Sequence, residues 1–110
     1  MGKITDNKKD GSDLEQLRQQ IDNLDDEILR LLNLRMLLVQ EIATLKNKAG
    51  RDPLDLNREQ AIFRRLAREN RGPLAWGAVK KIFGEILAAS RDIQAYLRTD
   101  QRQPPKGRVS

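Results

Sequence analysis

Eight polar residues stand out because helical spacing places them in or beside faces that are otherwise apolar: Arg18, Arg35, Lys46, Asp55, Arg58, Glu59, Ser90 and Gln94. Arg35 falls between Leu31 and Leu38, where the apolar step calls for a hydrophobic side chain. Asp55, Arg58 and Glu59 precede Ile62 by seven, four and three residues, so they continue its face backward and turn it polar. Ser90 and Gln94, four residues apart, stack on one face of a third segment. Burying such groups unpaired costs several kcal/mol for charges and about 1–3 kcal/mol for neutral groups, so the arrangement that avoids the cost brings them together around one pocket. Lys46 joins it. Eleven residues from Arg35 is three helical turns with an angular error of about 20° and a rise of about 16 Å, close enough for two long side chains to converge on a small anion. Arg18 lies about 42 Å along the same helix from Lys46 by that rise. It reaches such a pocket only from a second chain running antiparallel, which makes a shared site, two per dimer.

The elements that must position these groups follow from the same periodicity. Leu14, Leu17, Ile21, Leu24, Ile28, Leu31, Leu38, Ile42 and Leu45 form an a/d seam. It predicts a first helix from Ser12 or Asp13, either of which can cap it, to about Lys48, with Gly50 as its stop. A helix of that length, about 50 Å, exceeds what a lone domain with a radius of gyration near 13 Å can cover, so the seam packs on a second copy. A second helix opens at Asp52 with Pro53 in first position, or else at Asp55, and ends near Asn70 or Arg71 before Gly72-Pro73. A third runs from about Leu74 to Leu97 with Val79, Ile82, Phe83, Ile86, Leu87, Ile93 and Leu97 on its buried side, and Gly84, Ala88 and Ala89 are small enough for another helix to approach closely. The reading is all-α: three helices per chain with a long first one, assembled as an intertwined six-helix homodimer. Residues 1–12 read as a disordered tail, 13–98 as the domain, and 99–110, with Pro104-Pro105, as a tail or linker that leaves room for a fused downstream enzyme.

Composition narrows the chemistry. A chain of 110 residues that is 38% hydrophobic supports one domain with a thin core of its own. There is no cysteine and no histidine, which excludes thiol nucleophiles, Cys/His zinc sites and His-based triads. The net charge of +5 and pI near 9.9 suit an acidic ligand. No apolar run is long enough to span a bilayer or to serve as a signal peptide, so the expected compartment is the cytoplasm, with no membrane partner.

Each polar position also has a plainer explanation. Arg35 can be a register device or a snorkelling side chain; Asp55, Arg58 and Glu59 can serve capping and the helix dipole; Ser90 and Gln94 can be a solvated patch. A non-enzymatic helical dimer, an adaptor or a nucleic-acid-binding coiled coil, is the competing class. Basic residues on a buried face, with few aromatics to stack on bases, argue against nucleic acid.

In order along the chain, L-R-Q-Q-I-D at 17–22, L-L-N-L-R at 31–35, Lys46, D-L-N-R-E at 55–59 and S-R-D-I-Q at 90–94 together resemble the all-helical, AroQ-type chorismate mutases. The resemblance covers about Leu14 to Gln94 and implies conversion of chorismate to prephenate by an intramolecular [3,3] rearrangement without cofactor or metal. It implies Arg18 from the partner subunit and Arg35 on the substrate carboxylates, with Ser90 adding a hydrogen bond. Lys46 and Gln94 would donate to the ether oxygen whose bond breaks. Glu59 and the Asp55 region would hold the ring hydroxyl, and Arg58 would orient Glu59 or face the ligand itself.

Overall fold

The computed structural model describes residues 11–102, with side chains for 11–98. The tail readings for 1–10 and 103–110 lie outside the described residues. Three helices follow in order, α1 (Ser12–Lys48), α2 (Leu56–Glu69) and α3 (Trp76–Arg102), and there is no strand among the described residues. No described helix is long and apolar enough to cross a membrane. The chain divides into two units, Met1–Leu34 and Arg35–Ser110.

In the first unit the seam is exposed: Leu14, Leu17, Ile21, Ile28 and Leu31 are all open, and Leu24 is 61% accessible. Gln19 donates to Asn23 at 3.1 Å, and Arg30 pairs with Glu27 one turn back. These are local bonds on a helix surface, each worth a few tenths of a kcal/mol.

The second unit holds the core, made of Val39, Ala43, Ile62, Val79 and Leu87. On α1 the buried face is thus Val39 and Ala43, while the seam members Leu38, Ile42 and Leu45 are exposed. Helical geometry explains the difference, because Val39 and Ala43 each lie one position, about 100°, round from Leu38 and Ile42. The segment therefore has two apolar faces, and the described residues bury the one that carries Val39 and Ala43.

The Gly50 stop is a Schellman motif: Gly50 takes φ 72°, its N–H donates to the Asn47 carbonyl at 3.1 Å, and Arg51 N–H donates to the Lys46 carbonyl at 2.7 Å. Asp55 caps α2, its carboxylate accepting from Arg58 N–H at 2.9 Å. Asp52, the other candidate, instead accepts from Leu54 N–H at 3.0 Å, two residues on, and so closes an Asx turn. Gly72, at φ 74°, follows the end of α2. Asn70 bridges the turn, accepting from Gly72 N–H and donating to the Leu74 carbonyl. Trp76 opens α3 and meets Phe63 edge-on at 6.4 Å, joining α3 to α2.

Two expectations for α3 change. It continues to Arg102, past Leu97, and Arg98 donates to Asp52 at 3.2 Å, so a polar residue past the apolar stripe still has a tertiary partner. Ile82, expected on the buried side, is exposed, and among the described residues nothing outside its own turn lies within 4 Å of a Cβ built on Gly84, which leaves that face open to a second helix. Leu87, 3% exposed, is the deepest large side chain of the core. Leu87→Ala is expected to cost about 2–5 kcal/mol in denaturant unfolding; a loss below about 1 kcal/mol would show that the core lies elsewhere.

Candidate active site

The site begins at the C-terminal end of α1. Arg35, Val39, Ile42 and Lys46 recur at spacings of four and three, so one stripe carries a guanidinium, two apolar side chains and an ammonium into the same cavity. The first turn of α2 supplies Asp55, Arg58 and Glu59, placed there by the Asp55 cap. From α3 come Leu87, Ser90 and Gln94. With Leu38, Pro53 and Ile62 these enclose about 250 Å³, just under the ~300–1,000 Å³ of sites for drug-sized ligands. Seven of the eight residues singled out above line this one cavity. The eighth, Arg18, is an exposed residue of the first unit and is not among the lining residues.

The polar contacts give each side chain a different standing. Arg35 donates from Nη1 to Ser90 Oγ at 2.7 Å. Ser90 Oγ lies 3.0 Å from the Ile86 carbonyl oxygen and 3.6 Å from Met36 Sδ. Its single proton goes to the carbonyl, the stronger acceptor, so the lone pair is what Arg35 uses. Lys46 Nζ stands 3.9 Å from Asp55 Oδ2, beyond hydrogen-bond reach, so their attraction is Coulombic only. Arg58 forms no side-chain ion pair among the described residues, and Gln94 is half-buried.

Of the two roles expected for Arg58, orienting Glu59 or facing the ligand, its place in the cavity lining fits the second. Glu59 is paired with Arg91, whose Nη1 donates to Glu59 Oε1 at 2.6 Å. Sequence reasoning missed Arg91 although it lies inside the 90–94 stretch, beside Ser90 and three residues before Gln94. A signal existed there, in that an arginine one residue from a buried-face serine can reach the neighbouring helix.

Electrostatics explain what the cavity favours. It is lined by three cations, Arg35, Lys46 and Arg58, against two carboxylates, Asp55 and Glu59. Burial, and next the like charge of Arg58, push the Arg35 pKa below the ordinary guanidinium value, with Glu59 pulling the other way. An arginine stays cationic even so. The surplus positive charge, in a site walled by apolar side chains, suits a small anion.

Residues 17–95 match the chorismate mutase type II family. The chain belongs to that family. Among curated relatives it is 34% identical over 90 residues to a bifunctional chorismate mutase/prephenate dehydratase of Aquifex aeolicus, covering 78% of this chain and 25% of that protein. It is 38% identical over 71 residues to one of Neisseria gonorrhoeae, covering 64% and 19%. The chain therefore spans about a quarter or less of the length of these relatives. Among solved structures, form II of the Thermus thermophilus chorismate mutase superposes with a TM-score of 0.72 at 39% identity, covering 74% of this chain and 93% of that one. Form I gives 0.69 at 40%. The three-helix, strand-free fold is the chorismate mutase fold.

The lowered Arg35 pKa has a consequence for stability. The folded chain holds that proton less tightly than the unfolded chain, so at neutral pH the charged form opposes folding. Arg35→Leu removes the charge and extends the apolar stripe. Replacing a buried charge by a hydrophobe is often neutral or worth about 1–4 kcal/mol; for this half-buried residue the melting temperature should hold or rise slightly while function is lost. A variant that melted well below wild type, or changed its oligomeric state, would make Arg35 a structural or register residue.

Proposed function

We propose that the chain converts chorismate to prephenate by an intramolecular [3,3] rearrangement in the cavity between α1, α2 and α3, as part of aromatic amino acid biosynthesis. The observation that carries the reading is the convergence of Arg35, Lys46, Arg58 and Gln94 on one small cavity in a chain of this family. The reaction needs no nucleophile and no proton transfer, which suits a sequence without cysteine or histidine. The protein's task is to hold one conformer and to stabilise charge.

Arg35 takes one substrate carboxylate, oriented by Ser90. An always-charged planar fork suits this ligand, and one N–H given to serine leaves others for it. A second copy of the chain supplies Arg18 to the other carboxylate. Support for that copy is the seam of α1, whose leucines and isoleucines are exposed among the described residues and form the kind of apolar stripe that marks an interface. Fixing both carboxylates selects the folded, chair-like conformer, so part of the rate arises from orientation. As the C–O bond breaks, the ether oxygen gains negative charge. Lys46 and the Gln94 amide donate to it, and single donors of this kind are worth about 2.7–4 kcal/mol. Glu59 and Asp55 receive the ring hydroxyl, and Arg58 adds positive potential beside Arg35. The proposed assembly is a homodimer in the cytoplasm, with neither nucleic acid nor membrane as partner.

A spectrophotometric assay of chorismate loss tests the reading, and a folded chain with no turnover would leave the non-enzymatic helical dimer in its place. Gln94→Glu tests the charge argument. An amide donates at every pH, whereas an ionised carboxylate would face an oxygen that is gaining negative charge, and a protonated one donates again with nearly the same shape. Activity should drop about 10²–10³-fold at neutral pH and recover as pH falls through the pKa of the introduced group. A profile parallel to that of wild type would remove Gln94 from the breaking bond.

A further inference from the structure

Between Ser90 and Arg91 one turn of α3 holds a residue of each neighbouring helix: Ser90 accepts from Arg35 of α1, and Arg91 donates to Glu59 of α2. Arg35 and Glu59 have opposite charges, line the same cavity and act on each other electrostatically, Glu59 raising the pKa that burial and Arg58 lower. Nothing intrinsic to two such side chains keeps them apart, because a guanidinium and a carboxylate that meet close into a bidentate pair. Were they to meet, the substrate's carboxylate would have to displace a carboxylate already in place. Arg91 is placed to prevent this. It does not line the cavity but an adjoining depression shared with Asp52, Asp92 and Arg98, so it engages Glu59 Oε1 from outside the substrate space. Its side chain is 40% exposed and that of Glu59 18%.

We propose that Arg91 is a positioning residue that holds Glu59 off the substrate-binding guanidinium of Arg35 and leaves Glu59 Oε2 to accept the ring hydroxyl. The proposal rests on the chorismate reading above. It makes Arg91 a determinant of substrate affinity with no contact to substrate. The contact is a charge-assisted hydrogen bond, of the stronger class in proteins, and it removes most of the rotamer freedom of a glutamate that would otherwise sample several partners.

The test is a double-mutant cycle on steady-state kinetics with chorismate. In Arg91→Met, which keeps an unbranched apolar stem, the released Glu59 competes for Arg35, so KM should rise about tenfold or more while kcat changes less. Adding Glu59→Gln removes the competing charge. The KM of the double variant should then match that of Glu59→Gln alone within about twofold, a coupling that a purely structural role for Arg91 would not produce. Arg91→Lys keeps the charge as a single point contact and should show a smaller KM rise, again abolished by Glu59→Gln; it carries the test if Arg91→Met fails to fold. Wild-type turnover with an unchanged KM in Arg91→Met, or KM effects that simply multiply in the double variant, would overturn the role of Arg91 and leave the function standing. A folded wild type without turnover would remove the function and this role together.

Discussion

Arg35 brings a full charge to a half-buried position on an apolar helical face, and the partner it finds there is a neutral hydroxyl. Its desolvation is thus only partly offset within the chain, and the like charge of Arg58 adds to the strain. The surroundings serve to keep that charge in place and unneutralised. Ser90 directs its own proton to the Ile86 carbonyl and so offers Arg35 an acceptor with no negative charge. Glu59, the carboxylate whose charge acts on it, is engaged by Arg91. Asp55 is occupied with the α2 cap and stands 3.9 Å from Lys46. Both acids that line the cavity are thus engaged, Asp55 by the cap and Glu59 by Arg91, which leaves the positive charge that the carboxylates of the proposed substrate would balance.

The scaffold is arranged to make this possible at small size. The Schellman turn at Gly50 and the Asx turn at Asp52 carry the chain from Lys46 to Asp55 in nine residues, placing the last turn of one helix beside the first turn of the next. Those ends are the natural places for Lys46 and for Asp55 with respect to the helix dipoles, since cations are favoured at C-termini and acids at N-termini. Site and scaffold therefore agree locally, and among the described residues the one buried polar residue is the serine that accepts from Arg35.

Much of this was legible from residue spacing. The three helices, the stops at Gly50 and Gly72 and the convergence of seven polar residues follow from periodicity and from the cost of burying unpaired groups. What escaped did so for identifiable reasons. The seam dominated the reading of α1 because leucine and isoleucine outweigh valine and alanine in any apolar count, yet Val39 and Ala43 form the core within the chain. Asp52 and Asp55 are equivalent as cap residues in a sequence, and only the backbone geometry separates an Asx turn from an N-cap. The Glu59 to Arg91 pair spans 32 residues, a separation at which helical spacing gives no register, so Arg91 was not singled out. Helix α3 outlasts its apolar stripe, and a tertiary contact such as that between Arg98 and Asp52 is invisible to periodicity.

In the proposed mechanism, a cavity of surplus positive charge on one chain becomes a catalytic site when a second copy adds Arg18. Complementation between subunits measures this most directly. Arg18→Ala and Lys46→Ala proteins, each inactive alone, are unfolded together, refolded as a mixture and assayed with chorismate. Random pairing places both defects in one site of the heterodimer and leaves the other intact, so about half the dimers should each carry one working site, and activity should reappear at about a quarter of the wild-type level per subunit. A mixture as inactive as its parents, from chains shown to have exchanged, would contradict the shared site.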